Sequence, residues 1–364
     1  MAGIYVHIPF CNAKCSYCDF YSVANHIFMP GYVDALEREW AARRGELGED
    51  GVRTVYIGGG TPSVLPPEDI ARIIGLFPCG DAEELTIEVN PEGVDAEKCA
   101  AWRAAGINRV SMGVQSLVDD ELRRVGRRHS ATEALKALEV LQASGLSNVS
   151  ADLIYGLPGQ TPESWEYSVD RLLQSGITHL SAYSLTFEPG TRLYSQRERG
   201  LVDEAEEELS AEMYELLCRK ARAAGFEHYE ISNFARPGFH SRHNSAYWNL
   251  TPYLGLGPGA HSLGADGLRR FSSPDLKRYI THPESLYEVD EESDEERFND
   301  LILVSLRTAK GLDLSRVEPL YMKRLLEVAR PFVDCGKLKS EGSRLYIPEE
   351  HWLTSDSVIR ELFI

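Results

Sequence analysis

The sequence predicts an α/β fold, a partial barrel of six β/α units followed by a mainly helical, winged-helix-like C-terminal domain. Three observations predict it. Short apolar runs recur at 4–8, 54–57, 85–89, 109–113, 150–155 and 179–185, each of strand length. Amphipathic stretches at 31–44, 67–76, 95–105, 132–144 and 162–175 alternate with them and predict helices. Helix punctuation agrees: Thr161-Pro162-Glu163 opens one helix, and Gly106, Gly145 and Gly176 stand just past the ends of three. Strands alternating with helices pair in parallel through crossovers. Six of them suit a barrel or part-barrel with its ligand site at the C-terminal ends of the strands. A doubly wound open sheet is the competing arrangement.

Beyond Pro189 the pattern changes. Residues 203–224 predict one long acidic helix and 226–231 one more strand, whereas 234–267, rich in Gly, Pro, His and aromatics, predict irregular structure. The acidic run at 290–296 predicts a solvated helix start before 297–307. A helix just after Gly311, a longer one at 319–334, two short strands near Leu338 and at 345–347, and a last helix at 356–362 complete the chain. The expected division is a barrel core at 1–235, an irregular segment at 236–290 and a helical, winged-helix-like domain at 291–364.

The 364 residues are 43% hydrophobic and 26% charged, enough for a sizeable core and incompatible with a mostly disordered chain. Lys plus Arg number 38 and Asp plus Glu 56, a formal net charge of −18. That balance argues against a nucleic-acid partner, which calls for basic patches. No apolar run approaches the roughly 18 residues needed to cross a bilayer. No basic leader precedes a hydrophobic stretch, so the expected compartment is the cytoplasm.

Three of the seven cysteines fall within eight residues, Cys11-Asn12-Ala13-Lys14-Cys15-Ser16-Tyr17-Cys18. Three thiolates in one short loop can converge on an iron–sulfur centre or on zinc. Structural zinc commonly takes paired C-x₂-C units, and there is no second pair. A cubane held by three cysteines leaves one iron open to an outside ligand. The odd cysteine count argues against a disulfide framework. Cys79, Cys99, Cys218 and Cys335 read as ordinary thiols.

With Tyr5-Val6-His7-Ile8-Pro9-Phe10 leading into it, this C-x₃-C-x₂-C loop resembles that of the radical S-adenosylmethionine superfamily. More narrowly, it is similar to the group containing oxygen-independent coproporphyrinogen III oxidase and the HemW-type haem chaperones. The resemblance implies a [4Fe–4S] cluster on Cys11, Cys15 and Cys18, its open iron binding the amine and carboxylate of S-adenosylmethionine. It implies that Tyr17 packs on the adenine. It extends to Tyr5, to Gly59, Gly60 and Thr61 within Gly58-Gly59-Gly60-Thr61-Pro62, and to Glu88, Gln115, Arg127 and Asp152, all implied S-adenosylmethionine contacts. The residue chemistry is compatible: glycines permit close backbone approach, and acids at strand C-termini face a barrel's site.

Two departures from the oxidase are visible. Tyr5 stands near the start, where the oxidase has a long extension, and Cys18 is followed by Asp19-Phe20 instead of a further cysteine. Both argue against decarboxylation of coproporphyrinogen. His243-Asn244-Ser245-Ala246-Tyr247-Trp248 matches the H-N-x-x-Y-W motif of the chaperones, implying haem contact by His243, Tyr247 and Trp248, with His261 the next ligand to consider. The resemblance thus implies haem binding and delivery to acceptor haemoproteins, with an oxidase-like enzyme of porphyrin metabolism as the alternative. An electron donor such as a flavodoxin or ferredoxin joins the expected partners if S-adenosylmethionine is cleaved. Peripheral membrane contact is compatible with the sequence.

Overall fold

The computed structural model describes residues 2–48 and 51–364. Six β/α units open the chain: β1 (Ala2–Ile8), α1 (Met29–Arg43), β2 (Val52–Gly59), α2 (Pro67–Gly75), β3 (Glu84–Val89), α3 (Ala96–Ala104), β4 (Arg109–Gln115), α4 (Asp119–Arg124), α5 (Ala131–Ala143), β5 (Val149–Tyr155), α6 (Pro162–Leu173) and β6 (His179–Ser184). The strands lie side by side in chain order, all parallel. A sheet without a reversal of order is singly wound, so right-handed crossovers put every helix on one face. Accordingly α1 packs on α2, α2 on α3 and α3 on α5. That order excludes the doubly wound sheet, whose ligand crevice needs a reversal.

Strands covered on both faces become nearly continuous apolar runs, which is why these six were legible. Ile4, Val6 and Ile8 of β1 are fully buried, as are Ile57 of β2 and Ile87 of β3. Helix ends follow the expected chemistry. Ser130 and Thr161 close capping boxes at the starts of α5 and α6. Gly106 and Gly145, at φ 98° and 80°, take the left-handed conformation that ends α3 and α5.

After β6 come α7 (Arg192–Glu198), α8 (Glu207–Ala223), β7 (Glu227–Glu230) and β8 (Asn233–Ala235). The long helix expected from 203 starts at Glu207, and the short α7 was not expected. β8 pairs antiparallel with β6, and β7 with β8.

The expected irregular stretch at 234–267 is corrected. It contains α9 (Arg242–Trp248), β9 (Tyr253–Leu256) and β10 (His261–Leu263), and β11 (Arg269–Ser272), α10 (Leu276–Thr281) and β12 (Tyr287–Asp290) follow. β9 pairs in parallel with β1, extending the sheet to twelve strands in the order β12-β11-β10-β9-β1-β2-β3-β4-β5-β6-β8-β7. Strands of three or four residues are too short to show alternation, and their pairing is non-local. A buried ion pair fastens this extension to the first helix. Arg43 lies 2.7 Å from Glu39 on α1 and donates to Gly255 O at 3.0 Å and to Ser262 Oγ at 3.1 Å.

The C-terminal region has its own apolar core, running from Phe298 to Leu362. It comprises α11 (Asp294–Leu306), β13 (Leu312–Asp313), α12 (Pro319–Asp334), β14 (Lys339–Glu341), β15 (Arg344–Tyr346) and α13 (Ser355–Glu361). The acidic run does start a helix: Ser293 caps α11, with Asp294, Glu295 and Glu296 in its first turn. The helix expected just after Gly311 is instead β13 and a 3₁₀ turn, making the wing three-stranded, β13-β15-β14. Among the described residues, no helix is long and apolar enough to cross a membrane.

Candidate functional site

The three-cysteine loop leaves β1 at its C-terminal end, where parallel-sheet sites form. Backbone bonds hold it. Cys11 N–H donates to Val23 O at 3.1 Å, and Ser16 N–H reaches Val125 O at 3.1 Å. The turn after β2 braces it from the side: Gly60 N–H donates to Ile8 O at 2.7 Å and Thr61 N–H to Phe10 O at 2.8 Å. Thr61 Oγ1 lies 3.5 Å from Cys11 Sγ. Gly60 is required here, because a Cβ would stand 2.6 Å from Phe10 O and 3.0 Å from Cys11 Sγ. Cys11 is buried, Cys15 and Cys18 are half-buried, and all seven cysteines are free. Burial, then the neighbouring Cys15 and Cys11, push the Cys18 thiol up to about 11. A cationic metal centre would reverse that by stabilising the thiolate.

A cavity of about 420 Å³ opens beside the loop. Tyr17, Cys18, Gly59, Gly60, Thr61, Glu88, Gln115, Arg127 and Asp152 all line it, so the tertiary structure brings together residues spread over 136 positions of sequence. Glu88 accepts from Tyr56 Oη at 2.7 Å and from Gly59 N–H at 3.0 Å. Burial dominates its titration and raises the carboxyl to about 7, Asp152 adding to the rise. Asp152 accepts from Ser111 Oγ at 3.2 Å and from Ser150 Oγ at 3.3 Å, and burial pushes its carboxyl up too. Gln115 sits at φ 68°, where the β4–β5 register shifts after Gly113. A non-glycine residue in that conformation is uncommon and strained, and here it belongs to the cavity wall. Arg127 donates to Asn90 Oδ1 at 2.8 Å and lies 3.7 Å from Cys15 Sγ. The cavity thus offers donors, acceptors and one cation around a floor of glycine backbone, a lining suited to a zwitterionic, ribose-bearing ligand.

Four further residues of this site were not anticipated. Tyr56, Asn90 and Ser111 line the cavity, and Arg109 is buried with its Nε and Nη1 lacking hydrogen-bond partners among the described residues. Asn90 and Ser111 flank the acids already singled out, so their place near strand C-termini was the available signal. Nothing in the sequence distinguishes Tyr56 or Arg109 from ordinary strand residues.

Tyr5 neighbours this lining, its ring stacking on Tyr56 with centroids 6.1 Å apart. It lines a second, larger cavity of about 750 Å³ and not the one beside the cysteines; its hydroxyl lies 3.1 Å from His7 Nδ1. The two cavities share Phe20, Tyr56, Gly59, Glu88, Tyr183 and Asn244, so they adjoin. The larger is walled by β1, by α9 and by Arg307 just past α11.

His243 is held on both sides of its ring. Although it lines the larger cavity, it is only 1% exposed and both ring nitrogens are engaged, Nδ1 with Thr54 Oγ1 at 2.8 Å and Nε2 with Tyr247 Oη at 2.8 Å. Its ring stacks on Tyr56 with centroids 5.2 Å apart. Burial, then Arg109, lower it to about 3. As folded, both ring nitrogens are occupied by hydroxyls. Tyr247, Trp248 and His261 also line this cavity. Burial, then Arg269, lower the His261 imidazole, and among the described residues its ring nitrogens make no hydrogen bond.

A family profile described as the Radical SAM superfamily matches residues 5–172. "Heme chaperone HemW" of Bacillus subtilis is 33% identical, the alignment covering 98% of this chain and 98% of that protein. The protein of the same name from Mycobacterium tuberculosis is 34% identical over 99% of this chain and 94% of its own length. The mouse "Radical S-adenosyl methionine domain-containing protein 1, mitochondrial" is 41% identical over 71% of this chain and 60% of that protein. Among solved structures, coproporphyrinogen III oxidase of Escherichia coli superposes with a TM-score of 0.83 over 100% of this chain and 90% of that one, at 24% identity. That likeness shows the shared fold.

Proposed function

The chain belongs to the HemW family within the radical S-adenosylmethionine superfamily, and from that premise we propose that it binds haem and passes it to acceptor haemoproteins. In this reading Cys11, Cys15 and Cys18 hold a [4Fe–4S] cluster, and S-adenosylmethionine occupies the smaller cavity. When bound, the pair supplies one-electron chemistry, for which a flavodoxin or ferredoxin is the donor if S-adenosylmethionine is cleaved. Tyr17 packs on the adenine, Glu88 accepts ribose hydroxyls, and Arg127 meets the carboxylate. The backbone of Gly59 and Gly60, with Thr61, flanks the amine. Gln115 and Asp152 supply the remaining polar wall.

Haem occupies the larger cavity in this reading, with Tyr5, Tyr247 and Trp248 packing on its faces. His261 would hold its iron, because among the described residues its ring nitrogens make no hydrogen bond where those of His243 make two. Arg269 and Arg307 line the same cavity and would meet the propionates in competition with their own acids, Glu292 and Asp300 for Arg269 and Asp356 for Arg307. The observation that carries the proposal is the adjacency of a large aromatic-lined cavity to the cysteine-side cavity through a shared wall. The expected compartment is the cytoplasm.

The test is an anaerobic haem titration of cluster-loaded protein, followed by an apo-haemoprotein. A saturable Soret shift, weakened by His261→Ala, with transfer to the acceptor is expected; absence of saturable binding by the wild type overturns the reading. The shared wall also favours a second reading, oxidation of a porphyrinogen in the larger cavity. Incubation with coproporphyrinogen III, S-adenosylmethionine and a reductant separates the two, since decarboxylated product is expected only under the second.

A further inference from the structure

A group of side chains away from both cavities is built like a metal site. Cys218 of α8, His228 of β7 and Glu349, in the 3₁₀ turn after β15, bring their ligand atoms within 4.8 Å of one another. His228 Nδ1 lies 2.9 Å from Glu349 Oε1 and 3.9 Å from Cys218 Sγ. These separations bracket the roughly 3.3–3.7 Å between ligand atoms around a tetrahedral zinc with bonds of about 2.0–2.3 Å.

The histidine's orientation is the informative part. Its Nε2 faces the Ile231 carbonyl at 3.3 Å, an atom that can only accept, so Nε2 carries the proton. In the neutral ring that leaves a lone pair on Nδ1, aimed at a carboxylate oxygen and a sulfur. A proton on the thiol or the imidazole can relieve one pair of these three donors, whereas a cation between them relieves all three at once. A ligating histidine whose second nitrogen is bound to a backbone carbonyl is also the usual supporting arrangement of a metal site. The ring cannot swing away: it stacks on Phe234 at 4.0 Å between centroids and meets Trp352 edge-on at 4.4 Å. Arg222 holds the other oxygen of Glu349 at 2.5 Å, fixing the carboxylate.

We propose that Cys218, His228 and Glu349 bind one zinc ion that fastens the C-terminal domain to the barrel. A mixed sulfur, nitrogen and oxygen set suits zinc, and three protein ligands leave a fourth position for water. Cys218 and His228 come from the barrel side, Glu349 from the C-terminal side. Ile231, which anchors the histidine, lines the larger cavity, so the ion stiffens that cavity's wall from behind. This inference does not depend on what the cavities bind.

The test is elemental analysis of anaerobically purified full-length protein, wild type against Cys218→Ser and Glu349→Gln, two substitutions that preserve shape. One zinc per chain in the wild type, lost in both variants while iron and sulfide are unchanged, is the expected result. A second measurement removes the competing thiols: cobalt(II) is added to full-length protein carrying Cys11→Ala, Cys15→Ala and Cys18→Ala. Tetrahedral d–d bands with a thiolate charge-transfer band are expected, and Cys218→Ser should abolish the latter. Zinc retained in both variants, or no zinc and no cobalt spectrum in the parent proteins, overturns the proposal and leaves a protonated His228–Glu349 ion pair.

Discussion

Glu88, at the end of β3, accepts the backbone N–H of Gly59, at the end of β2, at 3.0 Å. The bond ties the acid to the glycine turn that braces the cysteine loop, so one carboxyl connects ligand cavity and cluster loop. Its raised value makes it titrate near neutrality. As pH rises through about 7 it becomes a carboxylate and a stronger acceptor. Affinity for S-adenosylmethionine should therefore rise severalfold from about pH 6 to about pH 8, and Glu88→Gln should flatten the profile. Calorimetric titration checks this; an identical slope in the variant excludes Glu88 as the titrating acceptor. The linked stability has the opposite sense: the neutral acid favours the fold below about 4.5, and that contribution is lost as pH rises through about 7.

His243 and His261 should separate cleanly on substitution. His243→Ala removes a buried stacked ring with two hydrogen bonds and should cost about 2–4 kcal/mol of stability. His261→Ala removes an exposed ring and should leave the melting temperature nearly unchanged while weakening haem binding. His243 is neutral in the fold, lowered from 6.5 to about 3, so its contribution is present above about 6.5 and lost as pH falls through about 3. Thermal melts and Soret titrations on both variants are the measurements. Normal stability in His243→Ala with lost haem affinity would restore it as the ligand.

Gly60→Ala should damage the cysteine loop. The added Cβ meets two backbone oxygens, Phe10 O at 2.6 Å and Ile8 O at 2.9 Å, so the chain itself must shift. Gly60 is not in the left-handed region, so the effect is steric. Iron incorporated on reconstitution should fall to less than about half of wild type. Gly80→Ala, whose Cβ meets nothing within 4 Å, is the control and should incorporate normally.

Single replacement of Cys11, Cys15 or Cys18 by Ala should abolish visible iron–sulfur absorption, since each would ligate a different iron. Replacement of Cys79, Cys99, Cys218 or Cys335 by Ser should leave it. Cluster loss on changing any of these four would show that the ligand set is wrong.

The sequence by itself determined the six-stranded parallel core, most helix ends and the cysteine loop. Those features rest on local chemistry: strands buried on both faces are spelled in runs such as Ile4–Ile8, and capping residues act within four positions of the helix they start. The residues expected around S-adenosylmethionine gather at one cavity because strand C-termini in a parallel sheet share one end, and Tyr5 lines the cavity that adjoins it. Only the tertiary structure decided that β9 pairs with β1, some 250 residues earlier, turning an apparently irregular stretch into sheet. It likewise decided the fate of two histidines in that region. His243 meets Thr54 and Tyr56 from β2 and is buried, whereas His261, eighteen positions on, is exposed and among the described residues makes no hydrogen bond through its ring nitrogens. Burial and hydrogen-bond partners are set by distant segments of chain, and no local pattern encodes which nitrogen will keep its lone pair.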